Sequence, residues 1–333
     1  MRYYSQKIVT LGGGTGQFHL LSGLRELNNN SQITAVAGTW DSGGSSGRLR
    51  TELGVLPPGD IRRCLLALME SDKQRMVAQT LFDDRLEDLS SPFKGHSFGN
   101  LLTARLENIY KGQDRGVDAE RELFRVRAKV MPVSITNLQL IAETSKGNKI
   151  EGETNIDLRI KDKNYDKDDK IIRIYFDTRA DVNPKILAEI KNAEKIVFSS
   201  GDLYTSVLPH LLVDGVREAI VKSKAKLIYV LNLATKPGET DKYKASDFLK
   251  AFSFYLDTPN RLDVMLVNDN HLDSEILKIY KDEGQNLVEI DEDKVKEMEP
   301  NLKIVKKPVS IYLKKEHLLR HDSEKLAEAI LEI

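Results

Sequence analysis

One cysteine in 333 residues leaves Cys64 without a disulfide partner and without companions for a cysteine zinc site. It stands in the apolar run CLLAL and reads as buried helix filler. No stretch approaches the ~18 apolar residues needed to span a bilayer, and the opening MRYYSQKIVTLGGG has no apolar segment long enough for a signal peptide. The expected compartment is therefore the cytoplasm. Charge of one sign is lacking too: 50 Lys and Arg against 51 Asp and Glu give a net charge of −1. No overall field draws the chain onto nucleic acid or an anionic membrane, so an anionic ligand has to be held locally. No Cys/His cluster has zinc spacing and no nucleophile-elbow sequence occurs, which argues against zinc and serine-hydrolase chemistry.

What is present is an ordinary globular composition, 40% hydrophobic and 30% charged, enough for a sizeable core. Residues 7–11 (KIVTL) form a short β-rich run that stops at Gly12-Gly13-Gly14-Thr15-Gly16, after which Phe18, Leu20, Leu21, Leu24 and Leu27 recur at helical spacing. Residues 33–38 (ITAVAG) read as a second, buried strand, followed by a second glycine- and serine-rich loop over 41–48. Pro57-Pro58-Gly59-Asp60 reads as a rigid turn with Asp60 as the N-cap of a helix over 61–69. Helices are expected over 72–82 and 97–110, with His96 just before the latter.

From 129 to about 176 the apolar residues alternate around turn signals, which reads as a β-rich insertion with an exposed charged loop at 161–170. The α/β rhythm returns with strands at 195–199 and 226–231, separated by a helical pattern around 208–221. Further strands are expected at 263–268, 286–290 and 304–309, and an amphipathic helix at 323–333. The fold class is α/β: a Rossmann-like, mostly parallel sheet flanked by helices, organised as a single domain over 1–333 with the insertion at about 129–176.

The turn Gly12, Gly13, Gly14, Thr15, Gly16 suits phosphate, because glycines admit close backbone approach and the following helix points N–H groups at an anion. It lacks both the third glycine of the dinucleotide fingerprint, where Gln17 stands, and the Walker lysine. A ligand-free strand-to-helix turn would use glycines as well. The second loop, Asp41, Ser42, Gly43, Gly44, Ser45, Ser46, Gly47 and Arg48, combines hydroxyls, backbone donors and a guanidinium suited to a diphosphate. Asp41 stands where an acidic residue accepts a ribose hydroxyl, or where it shares a Mg²⁺ with Asp60. Asp60 is open between cap and ligand contact, and His96 with Asn100 between a structural role and an anion contact at a helix entrance. Ser200, Gly201, Asp202 and Thr205 follow one strand and Asn232 the next, at the sheet edge where open α/β sheets take ligands.

The segments LGGGTG (11–16), GGSSGRLRTELGVLPPGDIRRCLLAL (43–68), GHSFGNLL (95–102), GDLYTSVLP (201–209) and NLATKPGET (232–240) together resemble the CofD-like family, in order and spacing over most of the chain. SSGRLR and LPPGDIR are similar to its gluconeogenesis-factor branch rather than its 2-phospho-L-lactate transferase branch. The resemblance implies a pocket for a nucleotide sugar such as UDP-N-acetylglucosamine and a role in cell morphogenesis under gluconeogenic growth. It implies a binding or regulatory protein more than an active enzyme, with Mg²⁺-dependent phospho-group transfer as the alternative and Mg²⁺ the only cofactor in view. A homo-oligomer is compatible with it, and membrane insertion is not expected. Two departures stand out: Ser42 replaces the second Asp of the family's usual pair, and the family's GPGSLYTS reads SSGDLYTS here, which sets Asp202 near the expected phosphate. Trp40 is a lead for an aromatic acceptor pocket.

Overall fold

The computed structural model describes residues 4–87 and 93–333, so the first three residues of the N-terminal segment read above lie outside it. The strands, in chain order, are β1 (Ile8–Gly12), β2 (Ile33–Ala37), β3 (Lys129–Pro132), β4 (Leu140–Thr144), β5 (Lys149–Glu151), β6 (Ile171–Phe176), β7 (Lys195–Phe198), β8 (Lys226–Val230), β9 (Val264–Asn268), β10 (Lys303–Lys307), β11 (Ser310–Leu313) and β12 (Leu318–His321). Among the described residues, a seven-stranded sheet has the order β10-β9-β8-β7-β1-β2-β3, and every pairing in it is parallel. The chain builds outward from β1 to β3, then restarts at β7 on the other side of β1. The connections therefore diverge at the carboxyl ends of β1 and β7, which opens a crevice there.

The strands are nearly continuous apolar runs because both faces are covered. Period-two alternation sends Val9, Leu11, Val36, Ile196, Phe198, Leu227 and Tyr229 into the core on one face, and Ile8, Ile33, Ala35, Ala37, Val197, Ile228 and Val230 into the core on the other. The second face is closed by α1 (Gly14–Leu27), by the helix Gly59–Leu68 and by the C-terminal helix Ser323–Glu332. On α1 the stripe Leu20, Leu21, Leu24 and Leu27 is buried, each side chain contributing about 1.5–3 kcal/mol. The first face is closed by Pro184–Asn192, Val216–Lys222 and Ala245–Leu256 together with the antiparallel sheet β5-β4-β6.

Four local expectations need correction. Lys129–Pro132 belongs to the main sheet as its edge strand, so the antiparallel insertion begins only with β4. Residues 286–290 form no strand: Leu287 makes an isolated bridge to Ala234, with no neighbouring ladder to extend it. The pattern around 208–221 is not one helix, since a π-helical turn (Leu203–Val207) and a 3-10 turn (Leu208–Leu212) precede the helix Val216–Lys222; Pro209 lacks an N–H, and Gly215 at φ +81 separates the last two. The segment 44–48 is not a loop but the start of a helix, Gly44–Leu53, whose N-cap is Gly43. The hairpin β11-β12 was not anticipated at all.

Candidate functional site

A cleft of about 390 Å³ lies at the carboxyl ends of β1, β7 and β8, where the chain order reverses. Its floor is the turn Gly13, Gly14, Thr15 and Gly16, and one wall is Ser200, Gly201 and Asp202 with Asn232 to Lys236. The opposite wall comes from remote parts of the chain: Tyr280, Glu283, Gln285 and the strand residues Leu318 to His321, with His19 from α1.

The floor explains its own glycines. Gly14 sits at φ +59, a left-handed conformation that side-chain-bearing residues adopt at a cost. A Cβ on Gly16 would stand 1.7 Å from the Ser200 carbonyl oxygen, so only glycine lets α1 start this close to the loop after β7. The N-cap Gly13 offers no side-chain cap, and the first-turn N–H groups of a helix have no intrahelical acceptors, which leaves the end suited to an anion. The Gly14 N–H instead donates to Asp60 Oδ1 at 2.9 Å. Asp60 is therefore not the N-cap of its own helix, which starts at Gly59 after Pro58 and has no side-chain cap. It caps α1 across the site. Burial, and then the neighbouring Asp41 carboxylate, push the Asp60 carboxyl up to about 6.

The walls are pinned by polar contacts. Asn232 Nδ2 donates to the Gly201 carbonyl at 2.7 Å, joining the loops after β7 and β8. Ser200 Oγ and His321 Nδ1 are 3.1 Å apart, and His19 Nδ1 is 3.1 Å from Ser323 Oγ. Burial lowers both imidazoles, that of His321 to about 3, so both are neutral near pH 7. Arg320 and Lys236 bring cations to the cleft. Lys236 Nζ lies 2.7 Å from Asp202 Oδ2 and 3.1 Å from Glu239 Oε1, and also pairs with Asp157. The negative charge that Asp202 introduces beside the glycine floor thus has a partner.

Of the residues singled out in the sequence, Gly13, Gly14, Thr15, Gly16, Ser200, Gly201, Asp202 and Asn232 line this cleft. Gly12 lies beneath it, where a Cβ would meet Ser199 Oγ at 2.0 Å. Thr205 is buried, and its carbonyl accepts the Trp40 indole N–H at 2.7 Å. Trp40 also meets Phe176 and His210 edge-on or tilted, so it is a core residue and lines no acceptor pocket.

The second glycine segment forms an adjoining group rather than a wall of the cleft. Asp41 Oδ1 accepts the Gly43 N–H at 2.9 Å, and Ser42 Oγ accepts the Thr154 N–H at 3.0 Å, which ties the insertion to this segment. Ser45 Oγ is 3.1 Å from His96 Nδ1, Asn100 Nδ2 donates to Ser46 Oγ at 3.2 Å, and Arg48 donates to the Lys94 carbonyl at 2.9 Å. Gly44, with φ +46, starts the helix. Asp60 links this group to the floor: a Cβ on Gly59 would lie 3.0 Å from both Asp41 Oδ2 and Ser46 Oγ, while Asp60 itself holds Gly14. Asp41 and Asp60 each keep their Oδ2 outside these N–H contacts, a donor set that fits a hard cation such as Mg²⁺. Glu153, from the insertion, faces the same two carboxylates, and burial followed by Asp41 raises it to about 7. Among the described residues, the three-carboxylate set close enough to share one cation is a different one, Asp157, Asp202 and Glu239.

Sequence reasoning missed His19, Lys236, Tyr280, Arg320 and His321. Lys236 sat inside the segment NLATKPGET without being singled out. Arg320 and His321 directly precede Asp322, which caps the last helix by accepting from Lys325 N, and a cation–imidazole pair at a helix entrance is a readable signal.

Comparisons with known proteins identify the family and match the fold. The family model described as 2-phospho-L-lactate transferase CofD matches residues 8–309. The chain is 38% identical over 331 residues to the gluconeogenesis factor of Halalkalibacterium halodurans, covering 98% of this chain and 96% of that one. It is 35% identical over 328 residues to the gluconeogenesis factor of Bacillus subtilis, covering 98% of each. The crystal structure of protein BH3568 from Bacillus halodurans superposes with a TM-score of 0.88 at 36% identity, covering 98% of this chain and 99% of that one. On matches of this extent, the chain belongs to the CofD-like family, in its gluconeogenesis-factor branch.

Proposed function

We propose that this protein is a nucleotide-sugar-binding regulator, taking a ligand of the UDP-N-acetylglucosamine class in the cleft at the β1/β7 switch point. Its role on this reading is in cell morphogenesis during gluconeogenic growth, in the cytoplasm. The observation that carries the reading is the floor of the cleft, where the glycine-lined N-terminus of α1 meets the loop after β7. That geometry suits a diphosphate, and a cleft of about 390 Å³ lies within the range of small-molecule sites. The neutral imidazoles of His19 and His321 and the carboxylate of Asp202 offer hydrogen-bonding partners for hydroxyl and amide groups beyond the phosphates.

The alternative, a Mg²⁺-dependent phospho-group transferase, draws on the proximity of Asp41 and Asp60 and on the description of the matched family model. In that case the two carboxylates would hold the cation, which would neutralise phosphate charge.

Isothermal titration with UDP-N-acetylglucosamine tests the first reading. Binding at micromolar to sub-millimolar strength is expected, and no heat or thermal shift at millimolar ligand would count decisively against it. Turnover of the nucleotide sugar with a candidate acceptor would favour the transferase.

A further inference from the structure

We infer that Lys236 supplies the cation for the phosphate end of the cleft and that Asp202 tunes ligand affinity by competing for the same ammonium group; this rests on the nucleotide reading above. Lys236 and Asp202 both line the cleft, as does the glycine floor. Gly201, immediately before Asp202, lies against that floor, since a Cβ there would be 3.8 Å from the Gly13 carbonyl oxygen. Lys236 Nζ, 2.7 Å from Asp202 Oδ2, is thereby held at the loop that packs against the N-terminus of α1, and both line the same cleft.

As the cluster stands, one ammonium is shared by three carboxylates whose ligand atoms all lie within 4.8 Å of one another. Burial raises both the Asp202 and Glu239 carboxyls, and Glu239 and Glu153 push Asp202 up further, so negative charge is already crowded here and disfavours a diphosphate until a carboxylate gives way. Lys236 therefore serves a phosphate by exchanging a carboxylate oxygen for a phosphate oxygen. The three partners are not equally free to give way. The Glu239 side chain is fully buried and also accepts the Tyr204 N–H at 3.3 Å. Asp157 is anchored in the insertion and is 26% exposed, whereas the Asp202 side chain is 40% exposed and open to the cleft. Asp202 is the partner that a phosphate displaces. Its carboxylate lowers affinity for anions instead of adding to it.

The inference has a sign that a ligand-contacting Asp202 would not share. The full chain is titrated with pyrophosphate, UDP and uridine at low and high salt, as wild type and as Lys236→Gln, Lys236→Arg and Asp202→Asn. Lys236→Gln should weaken pyrophosphate and UDP by about tenfold or more, flatten their salt dependence and spare uridine, the loss being that of one charge-assisted contact. Lys236→Arg should restore most of the affinity, and Asp202→Asn should tighten pyrophosphate binding. A folded Lys236→Gln that binds pyrophosphate as wild type does, an equal loss for uridine and pyrophosphate, or weaker pyrophosphate binding in Asp202→Asn overturns the inference. Should Lys236→Gln fail to fold, the sign of the Asp202→Asn effect decides alone. A wild-type chain that binds neither pyrophosphate nor UDP removes the nucleotide reading and this inference together, whereas wild-type binding with an indifferent Lys236→Gln removes only this one.

Discussion

Replacing Asp60 by Asn should stabilise the protein at neutral pH, and the gain should vanish in acid. The carboxyl is raised from 3.8 to about 6, chiefly by burial and then by Asp41, against the lowering effect of the Gly14 N–H. The folded state therefore holds a proton on Asp60 over a pH range where the unfolded chain has released it. The stability this proton confers is fully present below about pH 4 and is lost as the pH rises through about 6. A shift of about two units corresponds to at most about 3 kcal/mol. Asn keeps an oxygen to accept the Gly14 N–H, so the cap on α1 survives, while its amide N–H groups need partners at a cost of about 1 kcal/mol. The expected net gain is thus about 1–2 kcal/mol above pH 7, falling towards zero or below near pH 4. Urea unfolding of wild type and Asp60→Asn from pH 4 to 8 measures it, and the difference between the two cancels most of the contribution from Glu107, Glu120 and Glu153, which titrate near 7. Glu153 is itself raised partly by Asp60, so its shift shrinks in the variant and adds to the gain in the same direction. A stability difference that stays flat across this range, or an Asp60→Asn that is less stable at pH 8, would refute the argument. A destabilised site residue of this kind is what a stability–function compromise predicts.

Two substitutions in the glycine floor should separate binding from folding. Gly14→Val meets open space apart from the Arg63 side chain at 3.5 Å, so it should fold with a loss of about 1–3 kcal/mol from its φ of +59 and lose nucleotide-sugar binding; Gly16→Ala, driven into the Ser200 carbonyl, should show a much larger loss in thermal unfolding. Unchanged affinity in a folded Gly14→Val would remove the floor from the site. For the metal question, nucleotide-sugar titrations of wild type, Asp41→Asn and Asp60→Asn with Mg²⁺ or EDTA should show little metal dependence, because Ser42 replaces the second Asp of the pair expected from the family resemblance and its hydroxyl is taken by the Thr154 N–H. An effect of about tenfold or more that disappears in both variants would establish the cation site and favour the transferase.

The strands, their parallel character and the glycine floor were legible in the sequence because each is a local matter. Continuous apolar runs such as ITAVA and KLIYV mark strands covered on both faces, and four glycines in the five residues from the last position of β1 onward mark a backbone that must turn sharply and pack closely. Local patterns say nothing about partners distant in the chain. Asp60 looked like the cap of its own helix because it follows Pro-Pro-Gly, yet the order of the strands carries it to Gly14, 46 residues earlier, where the N-terminus of α1 needs an acceptor. The segment after Asp41 looked like a second phosphate loop, but its glycines and serines begin a helix whose hydroxyls are taken by His96 and Asn100. Half of the cleft was invisible for the same reason. Tyr280, Arg320 and His321 reach it only because β9 and β10 extend the sheet beyond β8 and return the C-terminal hairpin over the switch point. Sequence alone determined that this chain builds a parallel sheet with a closely packed glycine turn at the end of its first strand. Tertiary structure decided which charges surround that turn, because electrostatic neighbours depend on distance in space rather than along the chain.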